Sequence, residues 1–418
     1  MNVKINKKIK KFNKSISSIP GCKSISFRAL IFSSQLIGVS HLTGLSEGED
    51  LKCGIQSLRD LGVRIVRVKP GEYKIYGNGE NSFIQPKKKQ LYFGNAGTLG
   101  ILLGFLATSS IINVRIFGDK SLNSRNMQKF IDPLSKIGCI FSPLGKKNFP
   151  LIIQGTDYGL ARHHIVSSSA QEKACILNAA LNIAGATTIE ERPPFSRNHS
   201  ELMLRAIGAD IKIKRKGGRK LISVRGQQNL KSCSIDIPSD SSSSAFFVAI
   251  CLMTKGSSLR IRKVNLNHFR IGFIRCLKSM NANIKLTNVK TNKFGERVGN
   301  IIVKSSKLKP INFPKKEVVS TLDEIPVLMT IASLIPAIST FNHIGVIRGK
   351  ESDRIKKMSE NLRAFGIKTS ITKNSMKVYG SPSKIYSQKK QIKIKASLDH
   401  RIQMCSVLLA ASTPAPVI

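Results

Sequence analysis

The chain has 418 residues, 41% of them hydrophobic, and a formal charge of +44 from 68 lysines and arginines against 24 acidic residues. This length exceeds what one hydrophobic core supports, so two domains are expected, each large enough to fold without disulfide or metal staples. The charge suits anionic partners, but there is no tryptophan and Lys-rich runs such as residues 4–14 carry no aromatic platform, which argues against nucleic acid.

Eight cysteines, at 22, 53, 139, 175, 233, 251, 276 and 405, form no C-x-x-C pair, and the histidines do not cluster. Neither a zinc site nor a disulfide framework is therefore expected, and the thiols fit a reducing cytoplasm. The longest apolar run, about residues 101–112, is broken by Gly104 and by Thr108 to Ser110, so no membrane span is read. The first fourteen residues lack the apolar core of a secretory signal, while a transit peptide stays open.

Taken in chain order, polar residues open mainly apolar helices at Lys23-Ser24, Asn95, Ser168-Ser169, Asp240 to Ser244, Asp323-Glu324 and Asp399-His400-Arg401, a period of roughly seventy to eighty residues. Between them, amphipathic helices run into alternating strands through LRDLGVRI, LSKIGCIF, LRAIGADIKI, LKSMNANIKL and LRAFGIKTSI. Gly62, Gly138, Gly208, Asn281 and Gly366 suit the C-caps of these helices. The period predicts an α/β fold of two domains, each of three repeated βαβαββ-type units, apolar helix inside and amphipathic helix outside. Six polar helix starts are then expected to face one cleft, where helix dipoles and free N–H groups favour anions, although each start alone also reads as an ordinary N-cap. Only five amphipathic helices are visible, so the sixth unit is expected to be truncated, leaving apolar surface uncovered.

The stretch from Arg348 to Gly366 joins chemistry to scaffold. Arg348, Lys350 and Arg354 can hold an anion and Glu351 can move a proton. Ile355, Met358, Leu362 and Phe365 follow at helical spacing. In isolation the same run reads as a solvated, charged helix start.

Read in order, IPGCKSISFRAL (19–30), GLSEGEDL (44–51), GNAGT (94–98), GDKSLNSRNM (118–127), SSSAQEKACILNAAL (167–181), SRNHSELML (196–204), PSDSSSSAFF (238–247), DEIPVL (323–328), GKESDRI (349–355) and DHRIQM (399–404) resemble the EPSP synthase family of enolpyruvyl transferases, from Ile19 almost to the C-terminus. The GLSEGED and SSAQEK forms look more like the branch that includes glyphosate-tolerant bacterial enzymes. The resemblance implies an inside-out α/β barrel in each domain, one domain spanning 21–237 and the other 1–20 plus 238–418, with crossings near Pro20 and Pro238. It also implies a monomeric cytoplasmic enzyme that needs no metal or organic cofactor. The implied reaction joins the enolpyruvyl group of phosphoenolpyruvate to the 5-hydroxyl of shikimate 3-phosphate and releases phosphate.

Carried over residue by residue, the resemblance makes Asp323 the base, Glu351 the acid and Lys23 a catalytic helper. It assigns shikimate 3-phosphate to Lys23, Ser24, Arg28, Ser169, Ala170, Gln171, Arg197, Asp323 and Lys350. It assigns phosphoenolpyruvate to Lys23, Gly97, Arg125, Gln171, Arg354 and Arg401. Read alone, Asp323 is also a plain helix N-cap, and His400 reads as a base, a positioning group or a structural residue. The chain departs from the family pattern at Cys22, Phe27, Ile101, Asn126 and Ser239, and Cys22 removes a carboxylate that would have set the charge of Lys23. Two rivals are weighed. The sister transfer onto UDP-N-acetylglucosamine uses a loop cysteine, and this chain has none between 54 and 138. A degenerate basic binding protein on the same scaffold does not explain the spaced carboxylates and arginines.

Overall fold

In the computed structural model, which describes residues 4–5, 8–394 and 399–418 with Ser167 as backbone only, the helices that carry the repeat alternate along the chain. They are α1 (Lys23–Ser33), α2 (Glu49–Asp60), α3 (Leu103–Ala107), α4 (Gln128–Ile137), α5 (Ala170–Asn182), α6 (His199–Ala206), α7 (Ser241–Met253), α8 (Gly272–Ser279), α9 (Ile325–Ser333), α10 (Arg354–Ala364) and α11 (His400–Ala410). The even-numbered helices are the amphipathic ones. All five of their stops have positive φ, from +68° at Asn281 to +119° at Gly138, the left-handed conformation that glycine and asparagine adopt most cheaply. The odd-numbered helices from α1 to α9 are mostly buried, and in α1 every residue from Ile25 to Ser33 is; α11 differs, burying Ile402, Cys405 and Leu408 to Ala410 but leaving Met404 and Val407 exposed.

One predicted helix differs. The segment opening at Asn95 first winds as a 3-10 helix over Gly97–Leu102 and only then becomes α3. Gly97 and Gly100 weaken α-helix propensity at that start. Gly104 is required for packing, because a Cβ there would lie 2.1 Å from the Cys175 carbonyl oxygen on α5.

The sheets repeat one order, a parallel pair followed by two antiparallel strands. Ser234–Asp236, Ile37–Thr43, Glu72–Asn78 and Arg64–Lys69 form one such sheet. Gln90–Tyr92 and His163–Ser167 open two more, and Asn13–Ile16 opens a fourth. A fifth has Ile338–Phe341, Met376–Tyr379 and Lys368–Ile371, with Asn312 bridged in parallel to Thr340. The last unit is marked by a parallel bridge of Ile392 with Val417 and an antiparallel bridge of Val417 with Ile5. Among the described residues these sheets stay open and close no barrel.

The chain divides into a central unit, Pro20–Pro238 with Thr291–Glu296, and a terminal unit, Met1–Ile19, Ser239–Lys290 and Arg297–Ile418. Each has its own apolar core. Phe27 and Ile101, two departures from the family pattern, are buried in the central core. Ile355, Met358, Leu362 and Phe365 are all buried in the terminal one, as the spacing predicts. No helix among the described residues is long and apolar enough to cross a membrane.

Candidate active site

In the central unit, α1 starts at Lys23 behind the buried Cys22, which makes no side-chain cap. The Lys23 ammonium pairs with the carboxylate of Asp50, in the first turn of α2. The counter-charge that position 22 lacks is thus supplied from another helix. Arg28 is buried and donates to Ser24 O at 2.8 Å, to Ser200 Oγ at 2.8 Å and to Ala170 O at 3.0 Å. Burial, and then repulsion from Arg197, push this guanidinium down to about 10, which still leaves it charged at neutral pH. Arg197 Nη1 donates to Ser24 Oγ at 3.4 Å.

Ser169 caps α5 by accepting from Glu172 N at 3.3 Å, so Ala170 and Gln171 form the helix's first turn. Gln171 accepts from Lys129 Nζ at 2.7 Å and donates to Thr98 Oγ1 at 3.3 Å. Beside Thr98, a Cβ on Gly97 would lie 3.1 Å from Arg125 Nη1. Arg125 is held by Asn95 Oδ1 and, at 3.2 Å, by Ser121 Oγ. Asn126, another departure, accepts from Gln128 N at 2.8 Å and so turns the chain into α4.

In the terminal unit, guanidiniums converge on Asp323. Arg270 Nη1 is 3.2 Å from the carboxylate, Arg354 Nη1 3.5 Å and Arg401 Nε 3.6 Å. Asp323 does not cap α9: that helix begins at Ile325 after Glu324, which makes no side-chain cap either. Arg354 is fully buried, donates from Nε to Asp399 Oδ2 at 2.8 Å and pairs through Nη2 with Glu351. Burial pulls its pKa down, but Glu351, Asp323 and Asp399 outweigh that and hold it above the ordinary arginine value. Asp399 also caps α11, accepting from Arg401 N at 3.0 Å. One carboxylate therefore fixes both Arg354 and the start of the helix that carries Arg401. Glu324 is buried against Ser242 and Arg270, and burial keeps its carboxyl above the usual range. Lys350 is half-buried in the bend before Glu351, and His400 is exposed at the first position of α11. Ser239 pairs through its backbone with Lys263.

Arg348, read as one of three cations able to hold an anion, is engaged by the fold itself. Its Nε and Nη2 donate to Lys373 O at 2.9 Å and Thr372 O at 2.7 Å, and Nη1 pairs with Asp353. It ties the 372–373 turn to the start of α10, because two backbone carbonyls lie within its reach. Arg270 was missed by the sequence reading. A signal existed, since Arg125, Arg197, Arg270 and Arg354 each stand at or just before the start of an amphipathic helix, in four of the five repeats that show one. No group of three or more His, Cys, Asp or Glu side chains suited to a metal occurs among the described residues.

The family model described as EPSP synthase (3-phosphoshikimate 1-carboxyvinyltransferase) matches residues 6–418. A curated 3-phosphoshikimate 1-carboxyvinyltransferase from Zymomonas mobilis is 37% identical over 388 residues, covering 92% of this chain and 85% of that protein. One from Sphingopyxis alaskensis is 36% identical over 406 residues, covering 96% and 90%. The solved EPSP synthase of Acinetobacter baumannii superposes with a TM-score of 0.84 at 32% identity, covering 99% of this chain and 92% of that one. The enolpyruvyl transferase NikO of Streptomyces tendae, with a TM-score of 0.72 at 13% identity, shares the fold.

Proposed function

The chain belongs to the EPSP synthase family, and on that premise we propose how its side chains divide the work of the reaction. The activity is that of a 3-phosphoshikimate 1-carboxyvinyltransferase, a step of the shikimate pathway to aromatic amino acids. The 5-hydroxyl of shikimate 3-phosphate attacks the central carbon of phosphoenolpyruvate while the methylene carbon takes a proton. The tetrahedral adduct then loses phosphate together with a proton from the newly formed methyl group, restoring the double bond as an enolpyruvyl ether.

Asp323 takes the hydroxyl proton, and Glu351 delivers the proton to the methylene carbon. Glu351 is paired with Arg354 in this structure, so the guanidinium assigned to the substrate carboxylate sits beside the acid that protonates the methylene carbon. Arg125, Arg354, Arg401 and Lys23 bind phosphoenolpyruvate, with Gly97 and Gln171 beside them. Ser24, Arg28, Ser169, Ala170, Gln171, Arg197 and Lys350, with Lys23 and Asp323, hold shikimate 3-phosphate, where an arginine fork matches phosphate oxygens.

The convergence of Arg270, Arg354 and Arg401 on Asp323 carries this reading. Three guanidiniums around one carboxylate gather the cations for anionic substrates beside the group assigned to take the hydroxyl proton. We also propose a monomer working in the cytoplasm; the cysteines, all free thiols, support a reducing compartment. The test is a coupled assay for phosphate with both substrates. Equimolar phosphate and enolpyruvyl ether are expected; no release, or release without shikimate 3-phosphate, would overturn the reading.

A further inference from the structure

Beside Gly97 and Arg125, one cluster ties three elements of the central unit together through a cation outside the substrate-binding set. Lys129, in the first turn of α4, has its ammonium 4.9 Å from the centre of the Phe130 ring and 2.7 Å from Gln171 Oε1 at the start of α5. The ring is buried and wedged against the 3-10 helix, where a Cβ on Gly100 would meet it at 2.4 Å. Lys129 is itself exposed, yet a fixed ring and an amide hold its head in place. Burial pushes the neighbouring Glu172 carboxyl up to about 7, although Lys129 pulls it the other way. Near neutrality this side chain therefore competes for the ammonium less than a full carboxylate would.

An ammonium only donates, so the end of the Gln171 amide that meets Lys129 is the oxygen. That choice turns Nε2 the other way, where it donates to Thr98 Oγ1 at 3.3 Å. A hydroxyl can donate or accept, so Thr98 alone does not decide which end of the amide it meets. Thr98 follows Gly97, where a Cβ would lie 3.1 Å from Arg125 Nη1. The amide thus shows its donor end to the segment at which Arg125 also presents donors. Without Lys129, a half-turn about the last side-chain bond exchanges Oε1 and Nε2 at little steric cost. An oxygen lone pair would then face an anion where an N–H had been.

We propose that Lys129 is a positioning residue for phosphoenolpyruvate: it holds the oxygen of the Gln171 amide and so keeps the nitrogen as the end offered to the anion. The inference deepens the reading that Gln171 touches phosphoenolpyruvate, and it rests on that reading. Lys129 acts through Gln171 and not as one more distant positive charge among the 68 lysines and arginines of the chain.

The test is steady-state kinetics on the full chain at saturating shikimate 3-phosphate, comparing the parent with Lys129→Met, Lys129→Arg, Gln171→Ala and the double variant Lys129→Met with Gln171→Ala. Lys129→Met is expected to raise the KM for phosphoenolpyruvate about fivefold with kcat within about twofold, since the lost contact serves bound substrate and transition state alike. Lys129→Arg, also a pure donor, should bring KM back to within about twofold of parent. In the Gln171→Ala background, losing Lys129 should change KM less than about 1.5-fold, because no amide remains to be oriented. A parental KM in Lys129→Met, or the same fold-change with and without Gln171, the mark of a charge acting at a distance, would overturn the inference and leave the functional reading standing. A Gln171→Ala enzyme with parental KM for phosphoenolpyruvate would overturn that residue's assignment and this inference with it. A parent chain without turnover would overturn the functional reading and the inference together.

Discussion

Replacing Arg354 by methionine should unmake the terminal unit's charged centre. The guanidinium is fully buried and faces Asp399 at 2.8 Å, Asp323 at 3.5 Å and Glu351 in direct contact. Methionine fills similar space but leaves carboxylates that no longer share a cation, one of them, Asp399, buried. Removing one partner of a buried pair costs about 3–5 kcal/mol, because the other charge stays behind. For a unit of this size each kcal/mol moves Tm by about 2–4 °C, so a fall of roughly 6–20 °C is expected by calorimetry. Adding Asp399→Asn to Arg354→Met should recover part of the loss, with a coupling of about 1–3 kcal/mol in the double-mutant cycle. A Tm within 2 °C of parent for Arg354→Met, or a cycle with no coupling, would refute the buried-pair reasoning.

Gly97→Ala places a methyl 3.1 Å from Arg125 Nη1, so the guanidinium must yield by a few tenths of an ångström. A rise in KM for phosphoenolpyruvate of roughly threefold to tenfold is expected, with inhibition by glyphosate relieved further and kcat little changed; a parent insensitive to glyphosate would contradict the pocket as assigned. Glu80, half-buried and accepting from Gln228 N at 2.9 Å, is pushed up to about 7 by burial, partly offset by that hydrogen bond. A carboxyl raised on folding subtracts stability as pH climbs from its ordinary 4.5 through 7. Glu80→Gln keeps the acceptor, so its advantage in Tm over the parent should widen between pH 5 and pH 8, and a constant gap would count against the burial argument.

The helix stops were legible because they depend on local chemistry. Gly62, Gly138, Gly208, Asn281 and Gly366 needed only a left-handed residue after an amphipathic stripe, and all five have it. The apolar helices were equally plain, except at Gly97–Leu102, where three glycines within eight residues yield a 3-10 start that polarity does not forecast. Long-range pairing was not legible. Nothing near Arg270 in NHFRIGF points to Asp323, and nothing near Cys22 shows that Asp50 will meet Lys23. The partners of Arg348 were equally hidden, since two of its acceptors are main-chain carbonyls supplied by a turn some twenty-five residues on. Residue types could be carried over from the family motifs, whereas the buried partners that orient those residues emerged only once the chain was folded.

The most direct measurement is steady-state turnover of Asp323→Asn and Glu351→Gln, with shikimate 3-phosphate binding measured on the same samples. Both side chains are assigned to proton transfer, so kcat should fall by about 10²-fold or more in each while the dissociation constant for shikimate 3-phosphate moves only a few-fold. Near-parental kcat at saturating substrates in both variants would contradict the assignment of Asp323 as base and Glu351 as acid.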